Sequence, residues 1–151
     1  MVIYIGADHR GFKLKETLKN YLSGEGYAVV DLGNDKYDKA DDYPDFAAKV
    51  AEKVSVDSNE NRGILICGAG VGVDVVANKF RGVRSVLALS EEQVTASRND
   101  DDANIISIAA DFVDEEKVKK MVDIWLKTPF SGEERHKRRL QKISEIEKGQ
   151  A

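Results

Sequence analysis

The amino-acid sequence predicts an α/β domain on a doubly wound, parallel five-stranded sheet, with one extra helix at the C-terminal end. Three observations predict it. Five short apolar runs are each bounded by turn residues, as the buried strands of parallel sheets are. Segments of helical periodicity lie between them, so strand and helix alternate along the chain. The length, 151 residues, suits one domain with its own core and leaves no room for a dinucleotide-binding half beside a separate substrate domain.

The elements follow in order. "VIYIGA" (2–7) is the first strand, and after "DHRG" an amphipathic helix is expected over 11–23. "YAVVDLG" (27–33) is the second strand, followed by the polar stretch "NDKYDKADDYPD" (34–45) and a helix over 43–55. "SVDSNEN" (55–61) has the composition of a surface loop. "GILIC" (63–67) is the third strand, and a glycine turn leads from it into a helix over 71–80. "VRSVLAL" (83–89) and "NIISIA" (104–109) complete the sheet, with helices over 91–98 and 114–127. The last helix, 132–148, starts at "SGEE", where Ser131 is placed to cap and Glu134 to return the bond three residues later. No strand follows it, so it is expected to pack on a neighbouring element or a partner subunit.

Composition excludes several functions. The formal net charge is −4, and no block of Lys and Arg accompanies an aromatic platform, so nucleic acid is not an expected partner. No apolar run approaches the roughly 20 residues of a membrane span. "MVIYIGADHR" lacks the basic start and apolar core of a signal peptide, and the expected location is the cytoplasm. A single cysteine forms no internal disulfide, and His9 and His136 are far apart, so no zinc spacing is present and no structural metal is expected.

Ligands of open parallel sheets bind beyond the carboxyl ends of the strands. Here those ends carry "DHRG" (8–11), the loop 34–45, "CGAGVG" (67–72), "SEEQ" (90–93) and "SRNDDDAN" (97–104). Gly68, Gly70 and Gly72 follow a strand and open a helix, so their N–H groups are placed to meet an anion. The spacing is G-x-G-x-G, which differs from the dinucleotide fingerprint, although Glu91 stands about 20 residues on, where a ribose-binding acid would belong. A nucleotide site is the alternative reading. Against it, the loop follows the third strand, and the first carries Asp8, His9 and Arg10, which suit a sugar or a phosphate. Cys67 has two readings, a small buried apolar residue or a reactive thiol. A thiol before a helix N-terminus sits in a field that favours its thiolate, and neighbouring amides can hold an oxyanion. A base beside an oxyanion hole is what enolisation of a sugar requires.

"GADHRGFKLK" (6–15), "DYPDFA" (42–47), "GILICGAGVGVDVVANKFRGVRS" (63–85), "MVDIWLKTPF" (121–130) and "RHKRR" (135–139) together carry a family resemblance from the first strand to the last helix. The chain resembles the ribose-5-phosphate isomerase B and galactose-6-phosphate isomerase family. The resemblance implies a Rossmann-like fold, a homodimer with active sites at the subunit interface and pairing of dimers into tetramers in many members. It also implies no cofactor, and conversion of an aldose phosphate into its ketose phosphate. It implies Cys67 as the base, the amides of Gly68 to Gly72 as donors to the enediolate, Asp8 and Tyr43 as sugar contacts, and His9, Arg135 and Arg139 as the phosphate site. On physics alone, Asp8 also suits a cap for the helix starting near Gly11. Arg135 and Arg139, four apart on one helix face, present guanidinium forks that suit phosphate oxygens.

The chain departs from the family pattern at three places. Ala69 stands where Thr or Ser is common, which removes a hydroxyl. "SGEERH" is longer and more acidic than the usual glycine pair before R-H. "SRNDDDAN" puts Asp100 where the family has the His that helps open the sugar ring, and Asp101 where an Asn contacts substrate. A carboxylate also moves protons, so Asp100 is the candidate for ring opening and Asp101 for substrate contact, although two anions beside a phosphorylated sugar oppose binding unless paired or protonated. The expected activity is interconversion of ribose 5-phosphate and ribulose 5-phosphate. Alternatives are a hexose 6-phosphate such as allose or galactose, and a non-catalytic module that binds sugar phosphate or nucleotide.

Overall fold

The longest strands occupy the middle of the sheet, where both faces are covered. In the computed structural model, which describes residues 1–149, the elements are β1 (Ile3–Ala7), α1 (Phe12–Gly24), β2 (Val29–Asp31), α2 (Tyr43–Val56), β3 (Arg62–Cys67), α3 (Val71–Ala77), β4 (Ser85–Leu87), α4 (Glu91–Asp101), β5 (Ile105–Ala109), α5 (Glu115–Lys127) and α6 (Glu134–Gly149). The sheet order is β2-β1-β3-β5-β4, and every pair is parallel. The doubly wound five-stranded sheet with an extra C-terminal helix is therefore present.

Strand alternation sends successive side chains to opposite faces. Ile64 and Ile66 of β3 join Ile3, Ile5, Ile106 and Ile108 under α1, α4 and α5, which contribute Leu18, Leu22, Val94, Met121 and Trp125. Leu65 and Cys67 point the other way, into a second cluster with Val50 and Val54 of α2 and Val73 and Ala77 of α3. Cys67 thus lies on the α2/α3 face at the open end of a central strand.

The edge strands β2 and β4 are three residues each, shorter than the apolar runs that contain them. Each has a neighbour on one side only, and none of their residues is fully buried. α3 stops at Ala77 and not at residue 80. α4 runs past the expected residue 98 to Asp101, because the buried Arg98 sustains the last turn: its Nη1 donates to the Asp102 carboxylate at 2.6 Å and to the Ala103 carbonyl at 2.7 Å. Asp102, in the left-handed conformation at φ 48°, then ends the helix. The capping box expected at Ser131 is not built. Ser131 Oγ accepts the Glu133 N–H at 3.2 Å and meets the His136 ring at 2.6 Å, while Glu134 pairs with Lys137.

Lys15 is fully buried, its ammonium satisfied by Asp31 at 2.6 Å and Glu16 at 2.7 Å. Burial alone pushes the Asp31 carboxyl up, but Lys15, Lys19 and the Gly33 N–H outweigh it and hold Asp31 below its ordinary value. A depressed carboxylate contributes stability that is complete above the ordinary range near about pH 4 and is lost as pH falls through the lowered value. Asp31→Asn is therefore expected to lower stability at neutral pH and to flatten its fall below about pH 4. Urea midpoints measured across that range test this; a parallel fall in parent and variant contradicts it.

Candidate active site

β1 and β3 are neighbours, yet the chain leaves β1 toward β2 and returns to β3 on its other side. Such a reversal opens a crevice beyond the strand ends. Asp8 and His9 follow β1 at this end of the sheet, and Cys67 ends β3 and begins the glycine turn beside them.

Cys67 is nearly buried, 5% exposed, and its Sγ accepts the Gly70 N–H at 3.1 Å. The turn that brings this amide back to the sulfur requires glycine: Gly70 has φ +72°, and a Cβ there would stand 2.6 Å from Leu87 Cδ1 and 2.9 Å from the Ala109 nitrogen. Two side chains press on the same turn. Tyr43, at the start of α2, lies where a Gly72 Cβ would be, 2.6 Å from its Cζ. Arg10 does the same over Gly68 at 2.4 Å, held there by an ion pair with Asp111 that follows β5. The glycines thus let an aromatic ring and a guanidinium reach the turn that carries the thiol.

Asp8 is 5% exposed, and its Oδ1 accepts the N–H groups of Arg10 and Gly11, both at 3.0 Å. This is the helix-entry role its position allows, and it orients the carboxylate. Oδ2 takes no protein hydrogen bond among the described residues. His9 is held by Asp41, whose Oδ1 lies 2.7 Å from the ring Nδ1. Asp8, His9 and Asp41 each offer a ligand atom, all within 4.8 Å of one another, a grouping of the kind that holds a cation and that sequence spacing did not reveal. Hydrogen bonds already engage Asp8 Oδ1, His9 Nδ1 and both Asp41 oxygens.

The remaining predicted residues form a second group at the junction of α4 and α6. Asp100 accepts Asn99 Nδ2 at 2.7 Å and lies 3.7 Å from Nε2 of His136. His136, in the first turn of α6, is buried, with Ser131 Oγ on its other ring nitrogen at 2.6 Å. Asp101 is exposed at a groove shared with Arg84, Ile143 and Glu147. Arg135 and Arg139 are exposed on α6; Arg135 is paired with Glu133 at 2.7 Å. No hydrogen bond or ion pair among the described residues joins this group to Asp8, His9, Tyr43 or Cys67. Asp102, the third acid of the run, has a structural role, paired with Arg84 at 3.0 Å and Arg98 at 2.6 Å.

Comparison with known proteins places the chain in a family. The model of the family described as Ribose/Galactose Isomerase matches residues 3–143. The chain belongs to the ribose/galactose isomerase family. The ribose-5-phosphate isomerase B of Escherichia coli is 37% identical over 145 residues, 96% of this chain and 95% of that one. The crystal structure of ribose-5-phosphate isomerase B from Mycoplasma genitalium with bound ribulose-5-phosphate superposes with TM-score 0.94 at 44% identity, covering 97% of this chain and 96% of that one. The enzyme of the same name from Clostridium thermocellum gives TM-score 0.94 at 40% identity and covers 100% of both chains.

Three side chains of this ribose/galactose isomerase were missed by sequence reasoning. Asp41 reaches His9 across 32 residues of sequence, and Asp111 reaches Arg10 across 101. His136 reaches Asp100 from a different helix. No local pattern carries such pairs. The only sequence signal was His136 itself within "RHKRR", between two arginines assigned to phosphate.

Proposed function

We propose that this protein is a cytoplasmic, cofactor-independent isomerase that interconverts ribose 5-phosphate and ribulose 5-phosphate through a cis-enediolate, with Cys67 as the base. One observation carries the reading: the sulfur stands at the open end of β3, inside a glycine turn that brings the Gly70 N–H back onto it. The Cys67 thiolate takes the proton from C2 of the open-chain aldose, the C–H pair forms the C1–C2 double bond, and negative charge develops on the carbonyl oxygen. The thiol then returns the proton to C1, while a proton passes from O2 to O1. The first N–H groups of α3 have no intrahelical partners and are available to the oxyanion. Asp8 Oδ2 accepts from sugar hydroxyls, and Tyr43 packs beside them. Ala69 contributes no hydroxyl, so the sugar is held by one contact fewer on that side.

The active form is a homodimer in which α4 and α6 of one copy complete the glycine turn of the other. The separation of the two groups of site residues within one chain supports this. So do Val71, Val75, Leu89 and Phe112, which are 52, 52, 63 and 77% exposed around the same end of the sheet. In that pairing Arg135, Arg139 and His9 meet the phosphate, Asp100 opens the sugar ring, and Asp101 faces the substrate. Nuclear magnetic resonance of the protein with ribose 5-phosphate in D2O tests the reading: ribulose 5-phosphate forms and deuterium enters at C1. No turnover overturns it, and faster turnover of allose or galactose 6-phosphate changes the substrate.

Ring opening delivers a proton to the ring oxygen and removes one from the anomeric hydroxyl. Asp100 faces His136, and the pair supplies both a carboxylate and an imidazole. Asp100→Asn is expected to slow single turnover from the cyclic aldose more than from ribulose 5-phosphate, which has no comparable ring to open. Asp100→His is expected to be tolerated. Indistinguishable transients in Asp100→Asn and the parent reduce Asp100 to a surface charge.

A further inference from the structure

His9 is held from behind by a group outside the machinery assigned above. Asp41 Oδ1 accepts the His9 backbone N–H at 3.0 Å and lies 2.7 Å from ring Nδ1, and Asn34 Nδ2 donates to Oδ2 at 3.1 Å. The Asp41 side chain is only 6% exposed. Burial alone pushes its carboxyl up, but the His9 ring, the His9 N–H and Asn34 outweigh this and hold it below the usual carboxylate range. An ionised carboxylate only accepts, so the proton of the short contact sits on Nδ1. Tyr37 stands edge-on to the ring at 6.2 Å between centroids. Asp8 is the other charged group in the cluster, and its Oδ1 is turned to the N–H groups of Arg10 and Gly11. Nε2 is left as the ring atom with no protein partner among the described residues.

We propose that Asp41 is a positioning residue that acts through His9: it fixes the ring orientation and the Nδ1–H tautomer, so that Nε2 is the atom offered to the substrate phosphate. This rests on the isomerase reading, in which His9 meets that phosphate. A neutral ring of this tautomer presents a lone pair at Nε2. To donate to a phosphate oxygen it takes up a second proton there, and the Asp41 carboxylate balances the resulting charge, as a buried carboxylate does behind other imidazoliums. Without Asp41 the ring is free to turn, and the imidazolium that meets the phosphate has no carboxylate behind it to balance its charge.

The chain has two histidines, so ring nitrogen spectra of the free protein are resolvable, and His9→Gln assigns them. The parent is expected to show the Nδ1–H form of His9, and Asp41→Asn to shift it toward the Nε2–H form that histidine favours in water. Asn34→Ala, which loosens Asp41 without touching the ring, gives the same shift in smaller measure and serves if Asp41→Asn fails to fold. In kinetics, Asp41→Asn raises KM for ribose 5-phosphate about tenfold with kcat within about threefold, as loss of a charge-assisted contact to a non-reacting group does. In a His9→Gln background the same change alters KM by less than about twofold, because the two residues act as one unit. An unchanged tautomer in both variants, additive KM effects, or a fall in kcat at constant KM overturns the proposal. A parent without turnover of ribose 5-phosphate overturns the isomerase reading instead, and the tautomer measurement still decides whether Asp41 sets the ring.

Discussion

Cys67→Ala is expected to lower kcat by about 10²- to 10⁴-fold, the range typical of a lost general base, while the protein stays folded. The two effects separate because the change is small in volume and large in chemistry. Sγ lies in the second apolar cluster beside Leu65 and Val73, where an alanine methyl keeps the Cβ contacts. The structural loss is the acceptor of the Gly70 N–H, a bond worth about 1 kcal/mol. The chemical loss is the only atom at the end of β3 that can shuttle a proton between two carbons. Iodoacetamide is expected to inactivate the parent, with sugar phosphate protecting. At 5% exposure the thiol presents little surface to a reagent, so protection by sugar phosphate is the more telling half of the experiment. Near-full activity in the alanine variant would remove Cys67 from the mechanism.

Arg135→Ala and Arg139→Ala are each expected to raise KM for ribose 5-phosphate by about 10- to 100-fold, equivalent to the roughly 1.5–3 kcal/mol of a charge-assisted bond to phosphate. kcat changes less, because the phosphate does not react. The two residues stand one turn apart on the exposed face of α6, and the ion pair from Arg135 to Glu133 is a surface pair worth about 0–1 kcal/mol, readily exchanged for phosphate. Unphosphorylated ribose is expected to be a very poor substrate for the parent. Initial rates at low substrate concentration check this, and equal turnover of ribose and ribose 5-phosphate contradicts the placement.

The sheet was legible because its signal is local. A run such as "GILIC" is apolar at every position only when both faces are covered, and β3 and β5 are covered. The edges were less legible: "YAVVDLG" and "VRSVLAL" are longer runs with only one and two polar residues, yet three residues of each pair as strand. How far an edge pairs depends on the neighbour's length, which no window of sequence contains. The end of α4 was misjudged for the same reason, since Arg98 extends it through Asp102, Ala103 and the Thr128 carbonyl at 3.3 Å. At Ser131 the expected capping box lost to a tertiary partner, the buried ring of His136.

The sequence by itself determined the alternation of strand and helix, the strand ends where a ligand would sit, the thiol within a glycine turn, and the family. These follow from residue type at short spacing, where side-chain period and backbone freedom act within a few residues. Only the tertiary structure decided which acids are spent on structural ion pairs and which are not. Of three successive aspartates, Asp102 is neutralised by Arg84 and Arg98, whereas Asp100 faces a buried imidazole. Asp41, unremarkable within "KADDYP", becomes the partner of His9 because the polar loop after β2 folds back over the end of β1. The physical reason is range: a carboxylate's role is set by the donors within about 3 Å of its oxygens, and those donors come from elements that meet only when the sheet has assembled.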